Sequence, residues 1–118
     1  MIEAHEKPLE EATTASIEAL KAYSAQRAPG FGGCDARIPL LERGVALDSE
    51  FALAHAALGP CYSGTGQREK AIQSVNRAYE LRQRTTDPER FFIEYAYDRD
   101  VTGDLERAFQ TTTVWTQT

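Results

Sequence analysis

The sequence predicts an all-α fold of six helices, arranged as three antiparallel pairs in a right-handed α-solenoid. Three observations lead there. Apolar and small residues recur at helical steps in six separate stretches. Breaks rich in Gly, Pro and Asp divide those stretches. The pattern returns after about 34 residues, the length of a two-helix structural repeat.

Residues 1–12 are acidic, with Glu3, Glu6, Glu10 and Glu11 against Lys7, and are broken by Pro8. They offer little to a core and read as an extended or frayed lead-in. Thr13 and Thr14 are both suited to cap a helix by accepting an orphan N–H. The first helix then runs through SIEALKAYSAQR, with Ile17, Leu20 and Tyr23 along one face. Pro29, Gly30, Gly32 and Gly33 end it.

Asp35 is placed to cap the second helix, so Pro39 falls near the end of the first turn, where few intrahelical bonds are lost. Leu40, Leu41, Gly44, Val45 and Leu47 form its apolar or small face. Asp48 or Ser49 should cap the third helix, which carries Phe51, Leu53, Ala54, Ala57 and Leu58 and ends at Gly64 and Gly66. Pro60 lies deep in that helix and lacks the N–H that would bond the Ala56 carbonyl. A kink or local break is therefore expected near Ala56–Pro60.

The fourth helix, from about Gln67 to Arg84, turns Ala71, Ile72, Val75, Ala78, Tyr79 and Leu81 inward. Its Glu69, Lys70, Arg77 and Glu80 face water. Asp87-Pro88-Glu89 starts the fifth, with the acid at the N-cap and proline at the first helical position. That helix holds Phe91, Phe92, Ile93, Tyr95, Ala96 and Tyr97. Gly103-Asp104 turns the chain into the sixth, LERAFQTTTVWTQT, whose Thr and Val run has weak helix propensity.

Internal similarity ties these helices into pairs. Leu41, Arg43, Gly44 and Leu47 map onto Val75, Arg77, Ala78 and Leu81 at a shift of 34 residues. Gly66, Ala71 and Ala78 map onto Gly103, Ala108 and Trp115 at a shift of 37. Leu20, Tyr23 and Ser24 map onto His55, Leu58 and Gly59 at 35. The units fall at about 16–47, 50–84 and 88–118, giving one domain over 13–118. One helix pair cannot bury its own apolar face, and stacking completes the core.

The middle unit carries Leu58-Gly59-x-x-Tyr62 on its first helix and Ala71, Val75 and Ala78 on its second, with Thr65-Gly66-Gln67 between them. It resembles the tetratricopeptide repeat, with Val75 in place of the usual Phe and His55 in place of the usual Trp. The outer units depart from the pattern at Arg37, Gly44, Arg99 and Thr112, so they are expected to pack less well. The lead-in PLEEATTASIEALKAYS is similar to a segment preceding such repeats in large bacterial regulatory proteins, including acidobacterial Ser/Thr kinases.

The resemblance implies a concave groove lined by the first helix of each pair. Position by position, that groove would show Lys21, Leu53, Ala56, Pro60, Arg90, Ile93, Tyr97 and Asp100. Tyr97 and Ile93 would be its apolar anchors, with Lys21 and Arg90 selecting an acidic or C-terminal group. Family members that clamp chaperone tails use five Lys, Asn and Arg positions. Only Lys21 and Arg90 match, the others being Ala25, Ala57 and Glu94, which disfavours that ligand. The implied function is a non-catalytic scaffold that binds a protein or peptide. The alternative is a regulatory or sensor fragment of a larger bacterial Ser/Thr kinase or transcription regulator. No helix follows the sixth, so either its last turn frays or Phe109, Val114 and Trp115 form a self-association edge that gives a homodimer, the second being the favoured expectation.

Composition narrows the classes further. A net charge of −5, with no basic stripe, argues against nucleic-acid binding. No apolar run approaches the ~18 residues of a membrane helix, and MIEAHEKPLEEA lacks the apolar core of a signal peptide. Cys34 and Cys61 lack metal-site or framework spacing and read as two free thiols, which fits a reducing cytoplasmic setting. His5 and His55 have no spaced partners for a metal, and GFGG lacks the strand and Lys-Ser/Thr of a phosphate loop. No catalytic constellation and no cofactor site are expected.

Overall fold

The computed structural model describes residues 14–117, with side chains through residue 111; the acidic lead-in 1–12 lies outside the described residues. Among the described residues the chain forms six α-helices and no strand. They are α1 (Ile17–Gln26), α2 (Cys34–Leu47), α3 (Ala52–Gly64), α4 (Arg68–Glu80), α5 (Asp87–Tyr97) and α6 (Leu105–Gln117). A 3₁₀ turn over Arg82–Arg84 joins α4 to α5, and a π-helical turn over Asp98–Thr102 follows α5. Each helix packs on the next in order from α1 to α5, α5 packs on α6, and α5 also reaches back to α3.

The helix starts differ from expectation in instructive ways. Ser16 rather than a threonine caps α1, its hydroxyl accepting the Ala19 N–H at 3.0 Å. Thr14 is buried and instead donates to the Asp48 carboxylate. Helix α2 begins at Cys34 with Gly33 at the N-cap, so Asp35 lies inside the first turn and Pro39 falls deeper than expected. Neither Asp48 nor Ser49 caps α3. The N-cap is Phe51, which gives no side-chain bond, while the Asp48 carboxylate accepts the Glu50 N–H at 3.0 Å. Thr86, not Asp87, caps α5, in a capping box completed by Glu89.

Helix α3 runs from Ala52 to Gly64 without the break expected at Pro60. The proline is exposed, so its ring meets water rather than a neighbouring helix. The chain turns just past the helix end at Gly66, whose φ of +82° suits a residue without Cβ. The Gln67 N–H then turns back to the Tyr62 carbonyl at 2.7 Å, a Schellman closure. Gly103, the residue matched to Gly66 in the internal alignment, has φ +76°.

The apolar core is two clusters that share α3. In the first, Ala54, Leu58 and Tyr62 of α3 meet Phe51, Ala19, Tyr23, Leu41 and Ala71. The Tyr23 and Phe51 rings lie 5.4 Å apart and tilted, an edge-biased contact favoured by their quadrupoles. In the second, Ala52 and Ala56 of α3 meet Ala78, Leu81 and Ile93. The positions matched by internal similarity are mostly equivalent in burial. Leu41 and Val75 are buried, as are Gly44 with Ala78 and Ala71 with Ala108. Leu47 departs from the pattern, being exposed where Leu81 is buried.

Two polar ties repeat the same spacing. Thr14 bonds Asp48, and Arg84 bonds Glu50. Each joins residues 34 apart and links the connections that precede alternate helices: α1 to α3, then α3 to α5.

The two cysteines are not free thiols: Cys34 at the start of α2 is bonded to Cys61 near the end of α3, with Cα atoms 5.1 Å apart. The fold brings the two together across α2 and α3, which their linear spacing does not disclose. The support that free thiols lent to a reducing compartment is thereby withdrawn. Among the described residues, no helix is long and apolar enough to cross a membrane.

Candidate binding surface

A grouping of half-exposed aromatic and charged side chains lies where α4 meets α5. Tyr79, in the last turn of α4, stacks on Tyr97, the last residue of α5, with centroids 3.8 Å apart and planes 11° from parallel. The Arg82 guanidinium lies 3.7 Å over the Tyr79 ring. Its Nη1 donates to the Tyr79 carbonyl at 2.7 Å. The arginine therefore closes the orphan C-terminus of α4 and covers the ring in one conformation.

Charge around the stack is balanced rather than accumulated. Glu94 receives Arg82 and Arg90, each at 3.8 Å. Arg90 also donates to Asp87 at 3.0 Å and lies 5.2 Å over the Phe91 ring. Beyond Tyr97, the π turn buries Asp98, whose carboxylate takes a bidentate pair from Arg107 at 3.1 and 2.9 Å. That pair anchors the start of α6 to the end of α5. Arg99 forks onto Asp100, both bonds at 2.7 Å, which together with burial-opposed charge attraction keeps the guanidinium pKa raised.

The positions expected to line one groove are distributed otherwise. Arg90 and Tyr97 come together in this cluster. Asp100 is nearby in sequence but occupied by Arg99. Lys21 is exposed on α1 beside Glu18, at 3.9 Å, and Pro60 is exposed on α3. Leu53 is half-buried against the first core cluster. Ala56 and Ile93 are both 0 % exposed in the second core cluster, so neither is available as a contact for a partner. The reason is that α5 packs directly on α3 and α4, using the face that Ile93 presents.

Tyr79, Arg82 and Glu94 are the members that sequence reasoning missed. Periodicity turns Tyr79 inward, yet it is only half-buried. An available signal was its spacing to Arg82 at i,i+3, with an arginine just past a helix end. On the expected self-association edge, Phe109 is 70 % exposed, and Leu105 on the same helix is 66 % exposed. The Val114 and Trp115 side chains lie outside the described residues.

Chemistry elsewhere is sparse. His55 Nε2 donates to the Ser49 carbonyl at 2.9 Å, and burial lowers its pKa. Among the described residues, no group of three or more His, Cys, Asp or Glu is placed to hold a metal ion. Compared with known proteins, the chain matches no family model, no curated protein and no solved structure, so the reading of this surface rests on its own geometry.

Proposed function

We propose that the chain is a non-catalytic protein-interaction module, a tetratricopeptide-like right-handed solenoid of three antiparallel helix pairs, that binds a peptide or partner helix. The observation that carries the reading is the half-buried stack of Tyr97 on Tyr79, with Arg82 laid across it. Aromatic and arginine side chains carry a disproportionate share of interface energy. Here they are held in place before any partner arrives, which lowers the ordering cost of binding. The repeat reading is supported by the ties between residues 34 apart and by the helix shared between the two core clusters.

In this reading Tyr97 and Tyr79 are the anchors, and Arg82 and Arg90 orient a polar group of the partner by exchanging their bond to Glu94. No nucleic acid, metal or cofactor enters the proposal. The test is affinity capture from the native lysate, with the wild-type chain beside a Tyr97→Ala, Arg90→Glu double variant. Partners captured by the wild type should be absent from the variant, while the helical circular-dichroism signal is unchanged. Retention of the same partners by the variant refutes the assignment.

A further inference from the structure

The junction between α1 and α2 is weakly built. Gly30 and Gly32 hold left-handed backbone at φ +75° and +139°. The N-cap of α2 is Gly33, which has no side chain to satisfy an orphan N–H. Asp35 and Ala36 are exposed, and the first fully buried apolar residue of the helix is Leu41. Pro39 has no N–H for the Asp35 carbonyl. Arg37 places its Nε in the interior without a hydrogen-bond partner, an arrangement that costs free energy while the turn stays docked. Against this stand the packing of half-buried Ile38 on the first core cluster, the Ala36 and Arg37 N–H bonds to the Gly33 carbonyl, and one covalent tie, from half-buried Cys34 to buried Cys61.

We propose that the Cys34–Cys61 disulfide is a reversible redox latch: its reduction by a small thiol releases the α1–α2 connection and the first turn of α2, while the remaining helices stay folded. The reductant's thiolate attacks the Sγ of Cys34, the less buried of the two cysteines. The Sγ–Sγ bond breaks, and Cys61 leaves with the electron pair. A second thiolate attacks the reductant's sulfur in the mixed disulfide, freeing Cys34. Both cysteines take protons from water, two electrons have entered the protein, and two thiols of the reductant have become its disulfide. The released turn exposes the Arg37 Nε to water, so the cost of burying it without a hydrogen-bond partner is relieved on opening. The buried members of the first core cluster, among them Leu41, Phe51, Leu58 and Tyr62, lie outside the released turn, and half-buried Ile38 just beyond it still packs on them.

Hydrogen exchange on the wild-type chain, air-oxidised and after treatment with dithiothreitol, tests this. Reduction should speed exchange of the Arg37 and Ile38 amides by at least about tenfold and leave α4 unchanged. Trypsin should cut after Arg37 only in the reduced form, and re-oxidation should restore protection. A Cys34→Ser variant should behave as the reduced wild type under both conditions. Equal protection in the two forms overturns the latch. So does loss of the whole helical signal on reduction, or two titratable thiols in native protein purified in air.

Discussion

Gly59 and Gly44 are both buried helical glycines, and the structure assigns opposite signs to their replacement by alanine. A Cβ at Gly59 would lie 2.5 Å from Val75 Cγ2. Comfortable carbon–carbon separations are about 3.5–4.0 Å, so something must move by about an ångström. Val75 is fully buried and β-branched, and its side chain has no free rotamer to escape into. Forcing an extra methyl into such a site costs about 1–3 kcal/mol. Alanine regains about 1 kcal/mol of helix propensity over glycine.

The net expectation for Gly59→Ala is a loss of about 1 kcal/mol, with a fall in melting temperature of roughly 4 °C or more. At Gly44 the nearest atom to a new Cβ is Phe51 Cδ2 at 3.6 Å, an ordinary contact. There the propensity term stands alone, and Gly44→Ala should gain about 0.5–1 kcal/mol. Urea and thermal unfolding of the two variants measure both. Adding Val75→Ala to Gly59→Ala should produce a coupling, since the clash partner is then gone. A Gly59→Ala protein as stable as the wild type, or a Gly44→Ala protein that loses as much, would refute the packing argument.

Pro60→Ala restores an N–H toward the Ala56 carbonyl at an exposed position, so it should stabilise the fold by about 1–3 kcal/mol; an unchanged or lower melting temperature counts against this. Burial, then the 2.5 Å hydrogen bond to Glu42 and its charge, push Tyr62 up to about 12. Its folded value is above the ordinary ~10, so its contribution is complete below pH ~10 and is lost as pH rises through the folded value. Tyr62→Phe should therefore flatten the alkaline decline of the urea midpoint, with parallel pH curves as the contrary result. On the α6 edge, concentration-dependent dimerisation is expected by sedimentation and should be lost in a Phe109→Lys, Trp115→Lys variant. A wild type that stays monomeric over a wide concentration range refutes that edge.

The parts of the fold that could be read from the sequence are those where geometry admits few residues. Gly59 is legible because α3 and α4 approach so closely there that only glycine fits against Val75. Gly66 and Gly103 are legible because both hold positive φ at a turn. The six helices follow from periodicity, and their ends follow from glycine and proline. The caps were harder, because Thr14, Ser16, Asp48 and Ser49 are all capable acceptors, and tertiary contacts decide which is used. Leu47 and Ile93 show the limit of periodicity, which names a face but not how far the neighbouring helix covers it. The Tyr79–Tyr97 stack and the Cys34–Cys61 bond each need two helices placed side by side, and no linear spacing encodes that placement.

Helix α3 lends one set of residues to each core cluster, Ala54, Leu58 and Tyr62 to one and Ala52 and Ala56 to the other. The chain thus divides into units by sequence but not by free energy. Cutting after Gly64 would strip the cover from Ala52 and Ala56. Cutting before Arg68 would leave Ile93 and Ala78 without their wall. Melting of either side must expose apolar surface on the shared helix, so the cost of opening one half is partly charged to the other. Heat or urea should accordingly disassemble both halves in a single cooperative transition, with α3 among the last segments to lose amide protection.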